Sequence, residues 1–529
     1  MSATEPERRG WALPLALLAL ALFQLGAAPL FDVDEGAFSE ATREMLASGD
    51  WGHTTLNGED RFDKPILVYW LQAASVMVLG LNEFALRLPS ALCAWGWALA
   101  VWWFVRPRLG ERTGAAAALM TATSLGVLAI GRAATADALL NFLLVMAVFD
   151  AWRWLDTEHK APLRRAFAWM GLGLLAKGPV AVLVPVAAAG LWLITAWDWR
   201  FALHRIGQAV SDLPAWALLI GIAAPWYAYA LERHGQAFID GFFVRHNLSR
   251  YSAAMEQHGG HWATYLGVLP LLLLPWAPLL AAVIRRVGEH WRDPLGRFLL
   301  GWGGFVLLFF SFSATKLPHY MLYGATPFVL LMAIELQRAG AVMRWALALA
   351  CVALLGLFVL PALTLPQWAP MLKQPLYRAL LEGVDVPVVL ATVAALAALA
   401  VLALAALPQL RDRLPVGGSA LLSAGLVALV LLGFGLPWWG TLLQGPVREA
   451  ALVARARPEP AVQWKLHQPS FALYRGQPTP RRAPEPGELA LVRADQLKKL
   501  AADPANRWET VYEQRGYVLI RWLGGEPAR

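Results

Sequence analysis

Apolar runs of about twenty residues, the length a helix needs to cross a bilayer, recur along this chain about thirteen times. The first reads WALPLALLALALFQLGAAPL and covers 11–30. The others fall at 84–105, 113–131, 138–155, 163–176, 178–197, 212–231, 262–283, 297–314, 320–337, 342–361, 386–407 and 417–437. Backbone groups in lipid must be satisfied within the segment, so the pattern predicts an all-α polytopic membrane protein. Composition agrees: 16% of residues are charged, against roughly 25% in soluble domains. The 26 Trp residues suit membrane interfaces. Arg8 and Arg9 precede the first run, which reads as a retained signal anchor. Cys93 and Cys351 lie far apart in apolar runs, which argues against a disulfide framework or a CxxC metal site.

The net charge of +8 would raise the question of nucleic acid in a soluble chain. Its distribution answers otherwise. With the N-terminus inside, the inner connections hold Arg106, Arg108 and Arg112; Arg153, Lys160, Arg164 and Arg165; Arg200 and Arg205. Further on they hold Arg285, Arg286, Arg292 and Arg297; Arg338 and Arg344; Arg411 and Arg413. The short outer connections carry mostly single cations, Arg132, Lys177 and Lys316. That is the positive-inside pattern, with membrane lipid rather than nucleic acid as the partner. It requires 163–176 and 178–197 to be separate helices divided at Lys177, and it places the C-terminus outside.

Three segments depart from a plain bundle within the membrane part, 1–437. The first outer loop, 31–83, opens with FDVDEGAFSEATREMLASGDW. There Phe38, Ala41, Met45 and Leu46 share one helical face, predicting a helix lying in the interface. Residues 66–80 are apolar but short and are expected to re-enter or lie flat. The second segment, 232–261, is polar and His-rich. The third, 438–529, contains alternating runs such as ELALVRA and YVLIRWL, predicting a small α/β domain outside the membrane.

Ionisable groups near a bilayer are costly and mark function. Here they gather on the outer face: Asp32, Asp34 and Glu35; Asp63 and Lys64 in RFDKPI; Asp137 in ATADALLNF; Lys177 in LAKGP; Arg245, His246, Asn247 and Arg250 in FFVRHNLSRY; Lys316, His319 and Tyr320 in TKLPHYML. Each has a plain structural reading, such as an N-cap for Asp32 or Asp34 or a dipole partner for Asp137. Their convergence from separate connections does not. Lys64, Lys177, Arg250, Lys316 and Tyr320 supply the donors a phosphate ester needs. A loop-one carboxylate supplies a base, and Asp137, Glu35 and His319 would line the same cavity. Asp63 with His246 would place a divalent metal, zinc or another, between two loops.

On these motifs the chain resembles the GT-C superfamily of polyprenyl-phosphate-dependent glycosyltransferases. It is most similar to the bacterial branch of lipid A aminoarabinose transferases, relatives of the protein O-mannosyltransferases. The resemblance covers about 10–340. It implies thirteen helices, periplasmic interfacial helices, a C-terminal periplasmic domain and an inner-membrane location. It also implies inverting transfer from an undecaprenyl-phosphate-linked sugar to lipid A or another envelope acceptor. Carried over by motif, Asp34 or Asp32 is the essential carboxylate. Lys64, Arg250 and Tyr320 grip the carrier phosphate, and Asp137 and Lys177 line the cavity. The branch has Glu where Asp63 stands and uses it with a loop histidine to hold zinc. The enzyme is expected to act as a monomer. Protein or polysaccharide acceptors are the alternative, and a lipid-linked-sugar transporter is the rival. Transporters carry repeats and mid-helix charges that this sequence lacks.

Overall fold

The computed structural model describes residues 10–157, 159–195, 198–248, 260–407 and 415–525, except the side chains of 246–248. Among these, eight helices are long and apolar enough to cross a membrane. They are Glu83–Leu109, Asp137–Thr157, Leu213–His234, Pro294–Phe312, Pro318–Gln337, Ala341–Leu363, Val388–Ala406 and Val416–Arg455. The chain is a multi-pass membrane protein, as expected. The count of thirteen is not confirmed among the described residues, where several of the runs are broken for identifiable local reasons. The first run is helical only over Ala12–Leu22. It breaks at Phe23, before Gln24 at φ 55°. The carbonyls freed there are taken up by arginines: Arg132 on Leu20, Ala21 and Phe23, and Arg87 on Leu25, Ala28 and Pro29. The run at 113–131 divides at Ser124 into Glu111–Thr123 and Leu125–Ile130. The run at 262–283 divides around Pro275 into Thr264–Leu272 and Pro278–Arg285.

The separation at Lys177 is present. Lys160–Lys177 ends at Gly178, whose φ of 94° turns the chain into Val180–Thr195. One element was not expected. Trp199–Ser211 is an amphipathic helix, capped by Asp198 on the amides of Arg200 and Phe201, with Trp199, Leu203, Ile206 and Val210 exposed along one side. The cations expected inside also have structural partners. Arg153 and Arg165 pair with buried Asp150, Arg164 with Asp212, and Arg286 and Arg338 with buried Glu335.

The first outer loop folds as a unit. Asp34–Ser48 is a helix with Phe38, Ala41 and Met45 buried, packed with Ile66, Tyr69 and Ala73 from the next segment. That segment is the helix Leu67–Leu79. Between the two, β1 (Thr55–Leu56) and β2 (Glu59–Asp60) form a hairpin in which Thr55 faces Asp60. Asn57 and Gly58 turn it with φ of 56° and 81°, the left-handed pair a two-residue turn demands. Glu44 accepts the amides of Asn57 (2.7 Å) and Gly58 (3.2 Å), fixing the hairpin to the helix.

The small C-terminal α/β unit is present. Its strands β3 (Ala461–Gln463), β4 (Leu489–Arg493), β5 (Arg507–Gln514) and β6 (Tyr517–Gly524) lie in the order β3-β4-β6-β5. Only β3 and β4 run parallel. Alternation works on both faces. Val462, Val492, Ile520 and Trp522 face one cluster, while Leu489, Leu491 and Leu519 pack with Val447 and Ala451 of Val416–Arg455.

Candidate functional site

A cavity of about 370 Å³ lies where the first outer loop meets the ends of several spans. Its polar lining includes Asp32, Asp34, Arg132, Asp137 and His319. The acidic start of the loop is held rigidly from behind. Glu35, the second residue of Asp34–Ser48, is buried and meets Arg87 through two hydrogen bonds of 2.8 Å each. It also accepts the amides of Phe31 (2.8 Å) and Ala134 (2.7 Å). All of its acceptor capacity faces protein. Glu35 therefore lines the cavity as a strut joining the loop to the span Glu83–Leu109.

The two loop-one aspartates differ. Asp32 accepts from the amide of Ser470 (2.9 Å) and from its hydroxyl. Gly36 permits that approach: a Cβ there would lie 2.1 Å from Asp32 Oδ1 and 2.5 Å from the Ser470 amide nitrogen. Burial in this clamp, helped by the nearby Glu35 charge, pushes the Asp32 carboxyl up to about 7. Asp34 is exposed on the cavity wall, and its carboxylate has no hydrogen-bond partner among the described residues. It lies within electrostatic reach of Arg61 and His319.

Across from Asp34 the spans deliver a cationic group. Asp137 opens Asp137–Thr157 and ion-pairs with Lys177, the last residue of Lys160–Lys177. His319 Nε2 is 3.7 Å from the same carboxylate oxygen. The Lys177 ammonium sits 5.7 Å from the ring centre of Tyr320 and 5.6 Å from that of Tyr323. Lys64 donates to the carbonyl of Asp63 (2.9 Å) and is within electrostatic reach of Asp137 and His319. Asp34, Lys64, Asp137, Lys177, His319 and Tyr320 therefore form one assembly from separate connections.

Other expected members stand apart. Lys316, expected on phosphate, donates to the carbonyls of Phe310 (3.3 Å), Ser311 (2.7 Å) and Ser313 at the end of Pro294–Phe312. It caps that helix, whose last carbonyls have no internal partner. Asp63 pairs with Arg61 at 3.0 Å and faces a different pocket, with Arg245, His467 and Arg481. Arg250 and the side chain of His246 lie outside the described residues. The one observed half of the expected metal pair, Asp63, is thus engaged by a guanidinium. Arg87 and Arg61, which organise loop one, were not singled out in the sequence. Arg87 sits within an apolar run that reads as membrane-spanning, where the one signal is a charge two residues before Pro89.

Comparison with known proteins places these features. The dolichyl-phosphate-mannose-protein mannosyltransferase family matches residues 63–229. An undecaprenyl phosphate-alpha-4-amino-4-deoxy-L-arabinose arabinosyl transferase of Pseudomonas fluorescens Pf0-1 is 31% identical over 385 residues, covering 69% of this chain and 67% of its own. One from P. fluorescens Pf-5 is 32% identical over 341 residues, covering 63% of this chain and 57% of its own. The chain thus spans little more than half the length of that relative, and 56% of one from Edwardsiella ictaluri. The crystal structure of ArnT from Cupriavidus metallidurans bound to undecaprenyl phosphate superimposes with a TM-score of 0.78 at 20% identity, over 97% of this chain and 98% of that one. That likeness establishes the GT-C fold.

Proposed function

Because the chain belongs to the bacterial undecaprenyl phosphate-aminoarabinose arabinosyl transferase family, we propose that it is an inverting glycosyltransferase of the inner membrane. It moves 4-amino-4-deoxy-L-arabinose or a related sugar from undecaprenyl phosphate to lipid A or another envelope acceptor. Its N-terminus is cytoplasmic, its site and C-terminal unit are periplasmic, and it works as a monomer. The observation that carries this reading is an exposed carboxylate, Asp34, with no hydrogen-bond partner among the described residues, on the wall of a cavity also lined by Asp137 and His319. Asp137 ion-pairs with Lys177 and lies within electrostatic reach of Lys64, so a half-buried cationic group stands beside that cavity.

In this reading the carrier phosphate lies against Lys64 and Lys177, with Tyr320 beside it. Arg250, outside the described residues, is proposed as a further contact to that phosphate. Asp34 accepts the proton of the acceptor oxygen as that oxygen bonds to the anomeric carbon. The bond from that carbon to the phosphate oxygen breaks, its electron pair leaves on the phosphate, and the lysines stabilise the developing charge. Attack opposite the leaving group inverts the configuration. Asp137 holds the Lys177 ammonium in place until the phosphate arrives.

The test is transfer by purified full-length protein in proteoliposomes supplied with undecaprenyl-phosphate-linked sugar and lipid A. Asp34→Asn is expected to lower the rate by at least about a hundredfold, the scale of general-base catalysis, while eluting as wild type. An active Asp34→Asn enzyme would remove the base from Asp34. The match to a protein mannosyltransferase family favours a second reading, a protein hydroxyl as acceptor. Mass spectrometry of lipid A and of envelope glycoproteins, with and without the gene, separates the two.

A further inference from the structure

A cluster outside the cavity has the composition of a metal centre. His53 precedes β1, Asp60 ends β2, and His234 ends the span Leu213–His234. The hairpin register fixes the first two. Thr55 faces Asp60, and Thr54 and Arg61 exchange hydrogen bonds of 2.9 Å. The third is brought to them by a separate set of contacts. Trp226 Nε1 donates to the carbonyl of Gly52 (3.0 Å), Tyr229 donates to Asp50 (3.2 Å), and Arg233 pairs with the same Asp50 (2.5 Å).

The result converges on one carboxylate. His53 Nε2 is 3.0 Å from Asp60 Oδ1, and His234 Nδ1 is 3.5 Å from Asp60 Oδ2. Candidate ligand atoms of all three residues lie within 4.8 Å of one another. The imidazoles stand 4.4 Å apart between ring centres. The histidine side chains are 12% and 11% exposed and that of Asp60 is 53% exposed, so the group is walled on one side and open on the other. Phe62 stands edge-on to His234 at 5.1 Å and forms the apolar wall. Hydrogen bonding alone does not complete the group: His234 Nε2 is buried with no partner among the described residues.

We infer that His53, Asp60 and His234 bind a divalent transition metal of the zinc class, which staples the loop-one hairpin to the end of Leu213–His234. Two imidazoles and a carboxylate are a ligand set suited to zinc, with water at the open fourth position. The two histidine–carboxylate separations, 3.0 and 3.5 Å, are close to those between neighbouring ligands that each sit roughly 2.0–2.2 Å from a tetrahedral zinc. The site is distinct from the Asp63–His246 pairing. Its ligands brace the hairpin that precedes Lys64.

The test uses full-length protein purified in detergent, stripped with chelator and titrated with zinc under metal-content analysis. One further arm replaces zinc by cobalt and reads the visible absorption of a site with nitrogen ligands. One equivalent is expected to bind in wild type and in Asp63→Asn. His234→Gln and Asp60→Asn should each weaken zinc at least tenfold. Asp60 is exposed, so its variant keeps the fold if His234→Gln does not. Failure of wild type to bind zinc, or loss of zinc in Asp63→Asn with retention in Asp60→Asn, overturns the assignment and leaves a hydrogen-bonded triad.

Discussion

Glu35 and Arg87 show how a charge near a membrane can be structural. Each is almost wholly buried, and their two parallel hydrogen bonds are joined by backbone amides and carbonyls. Removing one partner strands the other, which costs about 3–5 kcal/mol. Glu35→Gln or Arg87→Met is therefore expected to lower the thermal midpoint sharply in detergent, and to lose activity through loss of fold. Lys177 and Lys316 make the contrasting pair. Lys177→Ala should weaken binding of undecaprenyl phosphate roughly tenfold, about 1.4 kcal/mol. Lys316→Ala should leave that affinity within about twofold and reduce stability instead, because its ammonium caps carbonyls. Titration calorimetry with the lipid, beside a thermal scan, reads both. The sequence made Asp137, Lys177 and His319 legible because each stands at the end of an apolar run. It did not reveal the engagement of Lys316 or Glu35, since their partners are backbone groups and a distant arginine.

At the scale of elements, the clearest dependence runs from loop one to Pro469–Arg475. Asp32 holds that short helix through Ser470, and Gly36 leaves room for the contact. The Asp32 carboxyl lies at about 7 in the folded protein against 3.8 for its ordinary value. The folded state thus favours the protonated form. The resulting stabilisation is complete below about pH 4 and disappears as pH rises through about 7. Thermal scans at pH 5 and pH 8 should show that loss in wild type and a flatter dependence in Asp32→Asn. Gly36→Ala should destabilise the protein at both pH values, since the added carbon overlaps both ends of the clamp. Element boundaries were legible where capping residues or glycines stood, as at Gly178. They were hidden where a proline or serine interrupts an apolar run, as at Ser124 and Pro275. The amphipathic helix Trp199–Ser211 reads as a basic connection in the sequence because Arg200 and Arg205 stand out, while Trp199, Leu203, Ile206 and Val210 align only once the segment is helical.

The whole molecule brings spans and loop one around one cavity, and sets the C-terminal unit against loop one. Its fold class followed from the apolar runs, and the convergence of charge on one face followed from where those runs end. The pairing partners across the molecule did not, because sequence separation gives no distance. Tyr474 is an example: its hydroxyl accepts the amide of Leu30 at 2.9 Å and donates to Glu83 at 3.1 Å. A chain ending after Val416–Arg455 is expected to insert in the membrane yet show no transfer, which membrane fractionation and the proteoliposome assay would check together. The bond between Asp32 and Ser470 joins residues 438 positions apart. Synthesis therefore makes the first of them long before the second. Until Ser470 has been made, the acidic loop lacks its clasp.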